Sequence, residues 1–212
     1  MPNALSGNAL PTEVKILLGL AVVALVASGL GPYDRLTWFF ETLRILLGVP
    51  IMILPRQRFP LTPLLYRLLF LHALRLALGG HYTYAQVPPG FWIQDWLDLS
   101  RNHYDRLGHV AQGFVPAILV REILARTSPL SGSRWLPVLT ASFCLAFSAF
   151  YEMIEWWAAV IMDEGADAFL ATQGDPWDTQ WDMFLALAGA IAALALLSRL
   201  HDRQMKRLDV LN

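Results

Sequence analysis

Charged residues and cysteines are both scarce in this chain. Asp, Glu, Lys and Arg make up 16% of its 212 residues and 56% are hydrophobic, whereas about 25% of a typical soluble domain is charged. The single cysteine, Cys144, leaves no pair for an internal disulfide. A net charge of −1 gives no indication of nucleic-acid binding. The composition therefore excludes an ordinary soluble domain and a disulfide-stabilised one.

The apolar residues are gathered into long runs. The first, ILLGLAVVALVASGL at 16–30, follows one nearby lysine and ends without a small-residue cleavage site, which predicts a retained span rather than a signal peptide. About 18 helical residues cover ~27 Å, close to the ~30 Å hydrocarbon core of a bilayer. We expect an all-α, polytopic membrane bundle, a single domain over 1–212, with about six spans at 13–30, 37–54, 61–78, 104–124, 135–161 and 178–198.

Lysine and arginine set the expected orientation. With six spans, one side carries eleven of them: Lys15, Arg56, Arg58, Arg67, Arg121, Arg126, Arg134, Arg199, Arg203, Lys206 and Arg207. The other side carries Arg35, Arg101 and Arg106. Because positive residues stay inside, both termini are predicted to be cytoplasmic. The stretch GFWIQDWLDL at 90–99 is predicted to be a helix lying on the outer surface.

This topology brings ionisable side chains from four helices to one depth near the outer face. They are His81 at the end of span three, Asp105 and His109 on span four, Glu152 and Glu155 on span five, and Asp178 and Asp182 on span six. The spacings of three or four residues place each pair on one helix face. Mixed histidine and carboxylate ligands on helices that face a bundle interior are typical of metal sites.

We therefore predict that one or two divalent metal ions are bound among these seven residues, with Zn, Mn or Fe favoured by the histidines. A glutamate left free of the metal, Glu155 by preference, is the predicted general base. Helix capping is the competing interpretation for Asp175, Asp178 and Asp105, because acids favour the first turn of a helix. Protonated or arginine-paired carboxylates are the other alternative to a metal.

Other polar residues give weaker signals. Glu41 and Arg44, three residues apart, are predicted to neutralise each other. Arg44 and Arg75, together with Arg106, are positioned to meet an anionic head group. His201 is predicted to lie on the cytoplasmic surface.

Four stretches carry a family resemblance: GGHYTYAQVP (79–88), RNHYDRLGHVAQGFVPAIL (101–119), FSAFYEMIEWWAA (147–159) and FLATQGDPWDTQWDM (169–183). They resemble the YjdF-like family of bacterial inner-membrane proteins, and the likeness runs from span one to span six. The resemblance implies a small multi-span protein of the bacterial inner membrane. It implies no reaction.

Three functions fit these observations. The first is a metal-dependent membrane enzyme, a hydrolase or an oxidoreductase, acting on a lipid or lipid-linked substrate. The second is a cation- or proton-coupled transporter or channel that uses the same acids. The third is a membrane scaffold that needs no cation.

Overall fold

The computed structural model describes residues 12–53, 59–162 and 172–211. Within these ranges the chain is all-helical, without strands, and forms seven α-helices and one short 3-10 turn at Tyr84–Gln86. The helices are α1 (Thr12–Ser28), α2 (Arg35–Ile53), α3 (Pro63–Tyr82), α4 (Pro88–Leu97), α5 (Tyr104–Thr127), α6 (Trp135–Met162) and α7 (Asp178–Leu211). The expected all-α architecture is confirmed.

Short polar residues set the helix starts. Asp34 precedes α2, and its Oδ1 accepts the backbone N–H of Thr37 at 2.7 Å, which holds the pKa of this carboxyl below its usual range. Thr62 precedes α3, whose first residue is Pro63. Asp175, predicted to cap α7, accepts the backbone N–H of Trp177 with its Oδ1 at 2.9 Å, just before α7 begins at Asp178, which is the contact of an N-cap aspartate.

Helix α5 lies at the centre of the bundle. It packs most closely against α7 and also contacts α6 and α3, while α1 and α2 pack against α3. Glycines let α5 and α7 approach: a Cβ at Gly113 would lie 1.7 Å from the Ala186 carbonyl oxygen, and one at Gly189 would lie 2.1 Å from that of Val110. These two helices therefore meet almost backbone to backbone.

The described part of the molecule is apolar outside and polar inside. Large apolar side chains such as Val23 (65% exposed) and Leu196 (72% exposed) face outward. The buried residues include nine with acidic, basic or amide side chains on α5, α6 and α7: Asp105, His109, Gln112, Arg121, Glu122, Glu152, Asp178, Asp182 and His201. This distribution is the one expected of a protein whose solvent is lipid.

Among the described residues, three helices are long and apolar enough to cross a membrane: Tyr104–Thr127, Trp135–Ile161 and Asp178–Leu208. They correspond to the last three of the six expected spans. Of the others, α1 has 17 residues, fewer than the ~20 of a typical span, and α2 contains Glu41 and Arg44. The predicted helix at 90–99 is present as α4, with Trp92 and Trp96 exposed.

Candidate metal centre

Three predicted ligands from two helices converge in the bundle interior. Asp105 and His109 share one face of α5, and Asp182 faces them from α7. The Nε2 of His109 lies 3.6 Å from Asp105 Oδ1 and 3.6 Å from Asp182 Oδ2. One possible ligand atom from each residue lies within 4.8 Å of the others, and all three residues are buried.

The close helix packing explains this convergence. His109 lies one turn before Gly113 on α5, and Asp182 lies one turn before Ala186 on α7. Gly113 and Ala186 are the point at which the two backbones touch. Residues four apart share a helix face. His109 and Asp182, each one turn before this contact, therefore face each other. The close helix packing that Gly113 permits, rather than a loop, therefore brings the ligands together.

The spacing of these atoms suits a tetrahedral ion. Oxygen and nitrogen ligands lie about 2.1 Å from Zn²⁺, so two ligands of a tetrahedral site are roughly 3.4 Å apart. Both His109 Nε2 distances, 3.6 Å, are close to this value. They are too long for hydrogen bonds. The Oδ1 of Asp182 is buried without a hydrogen-bond partner, and Asp182 is only 2% exposed.

Glu152 faces the opposite side of the imidazole. Its Oε1 lies 3.9 Å from His109 Nδ1, while Nε2 faces the two aspartates. Both Oε1 and Nδ1 are buried without a hydrogen-bond partner. In metal sites a carboxylate at this second nitrogen orients the histidine and fixes its tautomer. Glu152 thus lies beside Nδ1, on the opposite side of the ring from the two aspartates.

Glu155 lies between two cavities. The larger one encloses about 460 Å³ of space between protein atoms and is also lined by Glu152, Asp178 and Thr179. The smaller cavity encloses about 200 Å³ of space between protein atoms but has room for little more than one water-sized group. Its wall is formed by Glu41, Arg44, Arg75, Tyr84, Asp105, Gly108, His109, Gln112 and Glu155.

Several of these wall residues were not singled out from the sequence. Gln112 and Gly108 share the helix face of His109 or adjoin it on α5, and Tyr84 lies in the 3-10 turn after α3. The i,i+3 and i,i+4 spacing from His109 and Asp105 is a signal that would have found Gln112. The expected neutralisation of Arg44 by Glu41 is confirmed as a direct ion pair.

Two other predicted ligands have different neighbours. The Oδ1 of Asp178 accepts Arg101 Nη1 at 3.0 Å. The Nδ1 of His81 lies 2.8 Å from the backbone oxygen of Ser28, at the end of α1. Neither belongs to the group of converging ligand atoms, and Arg106 pairs with Asp175 instead of joining Arg44 and Arg75.

A second polar cluster lies toward the other end of α5. Glu122 accepts the Thr62 hydroxyl at 2.8 Å, Arg126 Nη1 at 2.9 Å and the Thr62 backbone N–H at 3.0 Å. His201 Nε2 lies 2.9 Å from its Oε2, and Arg121 Nη1 lies 3.1 Å from the His201 Nδ1. The prediction of a surface histidine was wrong: His201 is 0% exposed, because it partners a carboxylate 79 residues away in sequence.

Comparison with known proteins agrees with the apolar exterior. Residues 14–203 match the family described as "Predicted membrane protein (DUF2238)". The chain is 51% identical over 187 residues to the inner membrane protein YjdF of Escherichia coli (strain K12), covering 88% of this chain and 90% of that protein. No solved structure matches the chain.

Proposed function

The chain belongs to the DUF2238 family of membrane proteins, and on that premise we propose that this inner-membrane protein binds one divalent metal ion between α5 and α7. The ligands are His109 Nε2 and one carboxylate oxygen each from Asp105 and Asp182. Three protein ligands leave a fourth position of a tetrahedral ion for water or substrate, as in catalytic sites. A histidine with two carboxylates suits Zn, Mn or Fe.

One observation carries this proposal. The ligand atoms of three buried residues lie within 4.8 Å of one another, yet the two carboxylates are not hydrogen-bonded to the histidine at their 3.6 Å separations. A buried carboxylate oxygen without a partner, such as Asp182 Oδ1, is energetically costly by about 1–3 kcal/mol or more. A bound cation removes that cost for the whole cluster.

The proposed activity is hydrolysis of an ester in a lipid or lipid-linked substrate. A divalent metal held by these residues would supply an acidified water and polarise the ester oxygen. Glu155, which lines both cavities, accepts the proton of that water as general base. The water oxygen would replace the leaving oxygen at the ester centre, and Glu155 would pass the proton it accepted to that leaving oxygen. The larger cavity beside Glu155 provides the space for substrate.

The six-span topology with cytoplasmic termini belongs to the same proposal. The packing of α1 and α2 against α3, and of α3 against α5, supports one bundle that crosses the bilayer as a unit. The outward-facing apolar side chains of α1, among them Ile16, Leu20 and Val23, support its contact with lipid. In this topology the metal lies near the outer face.

Metal analysis of the purified protein tests the proposal. The protein, purified in lipid nanodiscs, is loaded separately with Zn, Mn and Fe(II), and its metal content is compared with that of an Asp105→Ala/His109→Ala double variant. We expect one ion per chain, lost in the double variant. Failure of the parent to retain any of the three ions would refute the metal site.

A reaction assay separates the enzyme from a transporter with the same ligands. Glu155→Gln should retain the metal but lose hydrolysis of lipid esters, since Gln cannot accept the proton. Cation flux into proteoliposomes that persists without any ester hydrolysis would contradict the enzyme and favour transport.

A further inference from the structure

The small cavity beside the Asp105 and His109 side chains is lined by an arginine whose donors are unpaired. Arg75 of α3 makes no ion pair with any described residue, and its Nε and Nη1 are buried without hydrogen-bond partners. Its guanidinium lies 5.2 Å from the centre of the Tyr84 ring. Buried N–H groups of a guanidinium are stabilised when an anion or another acceptor joins them.

The absence of a side chain at Gly108 leaves the space that the Arg75 guanidinium occupies. A Cβ at Gly108 would lie 2.1 Å from Arg75 Nη1, so any other residue at this position would displace the guanidinium. Gly108 directly precedes His109. Gly108 therefore leaves room on α5 for the Arg75 guanidinium beside the candidate metal centre.

Two further donors line the same cavity without a partner. The Oε1 of Gln112 accepts Arg44 Nη1 at 3.1 Å, which leaves the Gln112 Nε2 amide buried and unpaired although the residue is only 3% exposed. The Nε of Arg44 is also unpaired. The wall carries Arg44 and Arg75 beside the carboxylates of Glu41, Asp105 and Glu155. Glu41 pairs with Arg44 and the proposed metal would take Asp105, which leaves the unpaired donors of Arg75 for an incoming anion.

From these donors we infer that the cavity binds an oxygen of a phosphate group, and that the substrate class is phosphate esters. The inference rests on the proposed function, whose metal would lie next to this cavity. Unpaired N–H groups from α2, α3 and α5 surround a space with room for one oxygen-sized group. Arginine donors on separate elements suit an oxyanion whose remaining oxygens reach other partners.

Phosphate titration of the whole protein tests this inference. Metal-loaded protein in a maltoside detergent free of phosphate groups is titrated with inorganic phosphate and, in mixed micelles, with phosphatidic acid. Diacylglycerol, which differs from phosphatidic acid by the phosphate group, is the lipid control, and NaCl at equal ionic strength is the salt control. Binding is followed by calorimetry and by the shift in thermal unfolding.

Three variants locate the binding site. Arg75→Gln should weaken phosphate binding at least tenfold, and Gln112→Glu should do the same by placing a negative charge in the cavity. Arg67→Gln is the matched control, because Arg67 lies two turns away on the same helix in an exposed pair with Glu13. Each variant must elute as a single species and retain the parent metal content.

Saturable phosphate binding lost in both cavity variants and kept in the control supports the inference. Binding of phosphatidic acid alone identifies a lipid head group as the source, and binding of both ligands identifies the phosphate group itself as sufficient. No saturable binding of either ligand, or binding unchanged in Arg75→Gln, overturns it. Metal content is measured on the same samples, so a metal-loaded protein that ignores phosphate refutes this inference without refuting the metal site.

Discussion

Helix α5 carries a buried polar cluster near each end, and the two differ in how their polar atoms are paired. In the Glu122 cluster (Thr62, Glu122, Arg126 and His201) the carboxylate accepts hydrogen bonds from groups on three sides. In the Asp105 cluster (Asp105, His109, Glu152 and Asp182) the carboxylates stand 3.6–3.9 Å from the histidine and several atoms have no partner. A complete network needs nothing further, whereas an incomplete one is expected to bind a ligand.

The two clusters lie far apart on the same helix. Asp105 and Glu122 are separated by 17 positions, which corresponds to roughly 25 Å along a helix axis. Substitutions in one are therefore expected to leave the other intact. The comparison predicts that the Glu122 cluster governs stability and that the Asp105 cluster governs metal binding.

Removal of Glu122 should have the largest effect on stability. In Glu122→Ala the Arg126 guanidinium, the Thr62 hydroxyl and the His201 ring all lose their acceptor. Breaking a buried pair in this way destabilises by roughly 3–5 kcal/mol. Thermal unfolding in detergent measures the change, and a variant as stable as the parent would show that this network is not structural.

Closing the gap between α5 and α7 should affect both properties. Gly113→Ala places a Cβ against the Ala186 carbonyl and forces the helices apart. We expect a destabilisation of about 1–3 kcal/mol, together with loss of the bound metal because Asp182 moves away from His109. Metal content that remains stoichiometric in this variant would mean that the close approach does not position the ligands. Gly48→Ala, on α2 with open space at its Cβ, is the matched control.

Neutralising one carboxylate of the Asp105 cluster should have the opposite effects to those expected at Glu122: metal binding is lost and stability is kept. Asp182→Asn is expected to abolish metal binding while leaving the metal-free protein as stable as the parent or more so, because one buried charge disappears. The parent should gain about 2.7 kcal/mol of stability at a metal concentration of 100 Kd, and the variant should gain none. Strong destabilisation of the metal-free variant would assign Asp182 a structural role.

A helix cap outside both clusters shows how much stability is lost with one ordinary polar contact. Asp34→Ala removes the acceptor of the Thr37 N–H and should lower stability by about 1 kcal/mol without changing metal content. Since the folded pKa of Asp34 is lowered, its stabilisation is full above the unfolded pKa and disappears as the pH falls through the folded value. A parent–variant difference in melting temperature that does not shrink at low pH would contradict this assignment.

The sequence predicted the helices better than the side-chain contacts between them. The helices and the positions of Asp105, His109 and Asp182 on facing surfaces follow from apolar runs and i,i+4 spacing, which are local properties. The pairing of Glu122 with His201 does not, because the packing of α5 on α7 brings together residues 79 positions apart. The cavity next to His109 depends on Arg75 reaching across Gly108, a contact between two helices that no spacing rule reveals.

X-ray absorption at the edge of the bound metal tests the central claim most directly, since it reports the atoms around the ion. The proposed site predicts one imidazole nitrogen and two carboxylate oxygens at about 2.0–2.2 Å, with the imidazole signal absent from His109→Ala loaded with the same metal. A first shell of oxygens alone, or an imidazole signal that persists in His109→Ala, would contradict a metal centre between α5 and α7.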